Sequence, residues 1–78
     1  MKTIASATID GSTMYYNSKK IEEYMRSRFG YQNLKISLIN TTMNSGRMEL
    51  SIKGSVNEDA AFDEFRKYAS HAIKISES

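Results

Sequence analysis

The sequence predicts a small α+β domain: a two-layer sandwich, in the order β(β)αββα, with a mainly antiparallel sheet and two helices packed on one face. Three observations predict it. Leu34-Lys35-Ile36-Ser37-Leu38 and Arg47-Met48-Glu49-Leu50-Ser51-Ile52-Lys53 alternate apolar and polar residues, the period of a strand with one buried and one wet face. Asn44-Ser45-Gly46 between them is a turn signal, so the two runs read as a β-hairpin. One segment before the hairpin and one after it space their apolar residues three and four apart, as amphipathic helices do.

Thr3 to Ile9 is rich in β-branched residues and reads as the first strand. Asp10-Gly11 is a hairpin turn dipeptide, because glycine adopts positive φ without steric cost. Ser12 to Tyr16 reads as a second, shorter strand with Met14 and Tyr16 on one face. Asn17-Ser18 is a helix N-cap signal. Ile21, Tyr24, Met25 and Phe29 form the apolar stripe of the helix that follows. Lys19 with Glu23 and Glu22 with Arg26 lie four apart on its polar face, each pair worth a few tenths of a kcal/mol. Gly30 suits a positive-φ helix end, and Arg26 and Arg28 in the last turn suit the helix dipole.

In the hairpin, Leu34, Ile36, Leu38, Met48, Leu50 and Ile52 take the core face. A register with Leu38 opposite Met48 also sets Ser37 opposite Glu49 and Lys35 opposite Ser51. A slip of two residues would set Lys35 against Lys53, a repulsive pair, so the first register is expected. Ser55 to Glu58 fits a capping box, with Asn57 as an alternative cap. Ala61, Phe62, Phe65, Ala69, Ala72 and Ile73 form the stripe of the last helix. Glu58 and Asp59 at its start and His71 and Lys74 at its end follow the dipole, and Ser76-Glu77-Ser78 is expected to fray. If the first strand and the hairpin are parallel neighbours, the first helix is a right-handed crossover.

Residues 1–78 make one domain, and a chain of 78 residues buries only somewhat more than ~60% of its unfolded surface. It has no cysteine, which excludes disulfides and thiolate metal sites and fits a reducing cytoplasm, the expected location. No apolar run approaches the ~20 residues of a membrane span, and Ser6, Thr8 and Asp10 interrupt any signal-peptide core. A chain that starts at Met1 and carries no tag is expected to be a complete small protein. Residues 1–56 hold eight Lys/Arg and four acids, whereas residues 57–78 hold three and five. That asymmetry is milder than the dense basic stripe of a dedicated nucleic-acid binder.

No catalytic constellation stands out. His71 is the one histidine, and its place near a helix end already has a structural explanation. Glu22-Glu23 and Asp63-Glu64 are adjacent on helices and point about 100° apart, so they read as solvated faces. The four glycines match no phosphate-cradling spacing, and Asp10-Gly11 lacks the later acids of a calcium loop. No cofactor or metal is expected, and the chain is expected not to be an enzyme. Tyr15, Tyr16 and Tyr31 can stack on bases, but rim tyrosines more often cap the core.

The candidate working surface is the outer hairpin face: Lys35, Ile39, Arg47, Glu49 and Lys53. The leading expectation is a non-enzymatic binding protein, monomer or homodimer, that occupies a surface of a larger protein or nucleoprotein complex. Eight Ile, seven Lys, five Asn and five Tyr with no Pro suggest AT-rich coding, as in phages and mobile elements, where such proteins inhibit or modulate host complexes. The alternative is a basic nucleic-acid-binding module using this face with Lys19, Lys20, Arg26 and Arg28 of the first helix. The order strand, helix, hairpin, helix in 78 residues resembles the DinI-like family of small RecA-filament modulators in topology and length. That resemblance implies an acidic last helix that binds the partner. Here Glu58, Asp59, Asp63 and Glu64 fill the first turns and Arg66, Lys67 and Lys74 follow, so no functional residue is carried over.

Overall fold

The computed structural model describes residues 1–75. Its elements are β1 (Lys2–Asp10), α1 (Met14–Phe29), β2 (Leu34–Ile39), β3 (Ser45–Ile52), α2 (Glu58–Tyr68) and β4 (Ile73–Lys74). The sheet order is β2-β3-β1-β4, and every neighbouring pair is antiparallel. Both helices pack on one face, so the expected two-layer α+β sandwich is the observed one. Order and directions follow the βαββαβ plan called ferredoxin-like. β1 and β2 run parallel, but β3 lies between them and pairs antiparallel with β1, so the condition of parallel neighbours is not met.

The hairpin has the predicted register, with Leu38 opposite Met48, Ser37 opposite Glu49 and Lys35 opposite Ser51. Its inner residues Leu34, Ile36, Met48, Leu50 and Ile52 are buried, and Leu38 packs at the margin. They meet Met25 of α1 and Ala61, Phe62 and Phe65 of α2 in one continuous core. The turn falls at residues 40–44, earlier than expected. Asn40 takes the left-handed conformation at φ 52°, and the Thr42 amide and hydroxyl both bond the Ser45 carbonyl. Gly46 is therefore a strand residue, where an added Cβ would crowd Leu38 and Thr41.

β1 is central and carries small residues where the helices pass over it: Ala5 and Ala7 are buried. A bulge between Thr3 and Ala5 turns both Ile4 and Ala5 into the core while Thr3 stays on the outer face.

Four local readings are corrected. Ser12 to Tyr16 is not a strand, because α1 begins at Met14 after the positive-φ Gly11 (φ 103°), whose amide bonds the Asn44 carbonyl. The helix cap is accordingly Thr13 and not Asn17 or Ser18; the Asn17 side-chain Nδ2 donates to the Thr13 hydroxyl and the buried Ser18 hydroxyl to the Tyr15 carbonyl. Asn57, not Ser55, caps α2: its Oδ1 accepts the Ala60 amide at 3.0 Å. The last helix stops at Tyr68, and the chain then turns and adds β4, so Ile73 lies outside the helix stripe and is 64% exposed. Ser76 to Ser78, expected to fray, lie outside the described residues. No described helix is long and apolar enough to cross a membrane.

Candidate functional site

The face of the sheet opposite the helices has no cover among the described residues. The strand registers set its side chains in rows. Lys35, Ser51 and Thr3 form one, and the Thr3 and Ser51 hydroxyls bond at 2.9 Å. Ser37, Glu49, Ser6 and Ile73 form the central row across all four strands. Ile39, Arg47 and Thr8 form the third. Alternation in the strands puts these residues out because the buried partners on the same strands must face in.

Four of the five predicted surface residues therefore stand together on this face: Lys35, Ile39, Arg47 and Glu49. Lys53 is exposed one residue beyond the end of β3, where its amide bonds the Asn33 carbonyl. Arg47 and Glu49 lie two apart on β3 and pair at 3.9 Å, so one cation of the face is already matched. Ile39 is half-buried, not exposed. The face is rich in hydroxyls and mixed in charge, and among the described residues it carries no aromatic ring.

The aromatic candidates lie elsewhere. Tyr15 and Tyr16 are on the first turn of α1 and Tyr31 follows α1. The Lys20 ammonium sits over the Tyr16 ring at 5.1 Å and the Arg26 guanidinium over the Tyr31 ring at 5.6 Å. Arg26 also donates twice to the Tyr31 carbonyl, so the Glu22–Arg26 pair expected from spacing is replaced by a helix-end bond.

Two carboxylates read as solvated are buried. Glu22 is 8% exposed and its Oε2 accepts the Ile36 amide at 2.8 Å. β2 is an edge strand, so this carboxylate covers a backbone donor that an outside strand would otherwise take. The signal was present: with the helix starting at Met14, the residues Met14, Ser18, Glu22, Met25 and Phe29 form one stripe. Glu64 is 7% exposed between the helices. The Lys67 ammonium bonds it at 3.0 Å and the Arg28 guanidinium lies at 3.4 Å. That bond, with help from Arg28, holds the Glu64 carboxyl below the usual carboxylate range although burial opposes it.

No protein-family model, curated protein or solved structure matches this chain. The strand, helix, hairpin, helix order is followed here by the short strand β4. Among the described residues, no three His, Asp or Glu side chains converge on a point that could hold a metal ion. His71 is exposed in the turn before β4. The geometry offers a polar sheet face and, beside it, an incompletely paired strand edge.

Proposed function

We propose that this chain is a non-enzymatic binding module that holds a partner protein against the open sheet face and modulates it by occupying its surface. The observation that carries the reading is the make-up of that face. Lys35, Arg47 and Glu49 supply both signs of charge, the hydroxyls of Thr3, Thr8, Ser37 and Ser51 supply donors and acceptors around the buried Ser6, and Ile39 and Ile73 supply apolar rims. A phosphate backbone asks for cations and hydrogen-bond donors and repels a carboxylate such as Glu49, whereas a protein surface presents both signs. The residue composition supports a source in a phage or mobile element, with a host protein or nucleoprotein complex as the target.

The test places a photo-crosslinking residue at Ile39, and another at Arg66 on the helical face as control, in the native host. One partner crosslinked from Ile39 and lost in the Arg47→Glu variant is the expected result. Equal patterns from both positions would refute the reading.

A second reading, nucleic-acid binding, is favoured by Lys35, Lys53 and Arg47 beside the hydroxyl rows. The Arg47–Glu49 pair and the separation of every tyrosine from this face weigh against it, since single strands are held by ring stacking. Titration with random duplex and single-stranded DNA and RNA separates the two. Binding in the micromolar range that collapses with salt, and is lost in Lys35→Glu with Lys53→Glu, would establish this second reading. No binding at low salt removes it.

A further inference from the structure

β1 is nine residues long, but β4 pairs with it only at Ala5 and Ser6. The turn that precedes β4 closes on itself, the Ala72 amide bonding the Ala69 carbonyl, and does not extend the pairing. The Ile4 carbonyl accepts the Ile75 amide on the β4 side, whereas the Gly11 amide bonds Asn44 on the β3 side. Backbone groups alternate along a strand, so the amides and carbonyls of Thr8 and Asp10 point to the β4 side. Among the described residues no strand meets them there.

A groove of about 470 Å³ runs beside this bare edge, lined by Ile9, Asn17, Lys20, Ile21, Tyr24 and Tyr68. Its floor is apolar, and the Tyr24 and Tyr68 rings meet edge to face, centroids 5.0 Å apart. Lys20 is the one charged residue of its lining, and among the described residues its ammonium has only the Tyr16 ring as partner.

The geometry points to a second site: the Thr8–Asp10 edge of β1 takes an extended segment of a partner protein that adds to the sheet as a strand. One apolar side chain of that segment enters the Ile9–Ile21–Tyr24–Tyr68 groove, and an acidic side chain meets Lys20. Strand addition draws affinity from main-chain hydrogen bonds and specificity from pockets for alternate side chains, and both elements are present here. Charge complementarity with Lys20 sets the acidic requirement. The site uses the backbone edge of β1 and the groove on the helix side, not the side chains of the open face, and does not depend on the reading given to that face.

The test selects displayed random decapeptides against the intact protein and follows the enriched peptide by amide spectra of labelled protein. Enrichment of alternating apolar sequences with an acid is expected, together with new exchange protection at Thr8 and Asp10. Lys20→Glu should weaken binding about tenfold, and exchanging the peptide's acid for lysine should restore it, whereas Arg66→Glu, on an exposed residue of α2 outside the groove lining, should leave it unchanged. No enrichment, or spectral changes that spare Thr8 and Asp10, would overturn the proposal. So would protection of those amides in the free protein that rises with its own concentration, which would assign the edge to a second copy of this chain.

Discussion

Replacing Glu22 by alanine tests whether a carboxylate of α1 completes the edge of the sheet. In the folded chain, Glu22 accepts the Ile36 amide at 2.8 Å in a site that is 8% exposed. A hydrogen bond to a charged group contributes about 1.5–3 kcal/mol, and its loss leaves the Ile36 amide without its acceptor. The Lys19 ammonium lies at 3.6 Å, but its side chain is 75% exposed, so that pair adds less than about 1 kcal/mol. Alanine forms helix slightly better than glutamate, which returns a few tenths. The net expectation is a loss of about 2 kcal/mol. With a urea slope of about 1 kcal/mol per molar for so small a domain, the midpoint should fall by about 2 M. Glu22→Gln keeps an acceptor and should lose about half as much. Urea unfolding followed by circular dichroism gives these numbers, and amide exchange at Ile36 should accelerate in step. Glu23→Ala, one residue away and exposed, is the control. Equal midpoints for the Glu22 and Glu23 variants would refute the reasoning.

Glu64 should make stability acid-sensitive. Its folded carboxyl titrates below the ordinary value of 4.5, so it adds stability that is fully present above that pH. That stability is lost as the pH falls through the lower folded value; thermal melts should show a shallower acid decline in Glu64→Gln. Gly30 holds φ 105° and an added Cβ would lie 2.5 Å from Asn33 Nδ2, so Gly30→Ala should cost on the order of 1–3 kcal/mol in denaturant unfolding. Asn57→Ala removes the α2 cap and should cost about 1 kcal/mol by the same assay, while Ser55→Ala should change little.

How far the sequence could be read depended on whether the deciding contact was local. The hairpin register was legible because period-2 alternation and the Lys35–Lys53 repulsion act between residues close in the chain. The start of α1 was not, because Met14 and Tyr16 mimic alternation and Thr13 makes no side-chain cap bond. That misplacement rotated the expected stripe and hid Glu22 on a supposed wet face. β4 has two residues, too few for any period to show, and pairing with β1 is what makes it a strand. Four of the five residues predicted for the outer hairpin face lie on it, since alternation alone assigns them, and Lys53 falls just past the end of β3. The groove beside β1 was not, because Ile9, Ile21 and Tyr68 meet only after the chain has folded.

The central place of β1 also orders events in time. Its neighbours are β3 and β4, both made after α1 and β2, and its pairs run from Lys2 with Ile52 to Asp10 with Ser45. Of these four strands, the first to be synthesised is thus the one that waits longest for its partners. The β2–β3 hairpin, closed by a short turn, can form within about 10 μs, whereas β1 joins only across a long loop. Until Ile52 has emerged, β1 is an unpaired strand, and Lys2, Thr3, Ser6, Thr8 and Asp10 are the polar residues that keep it from other chains.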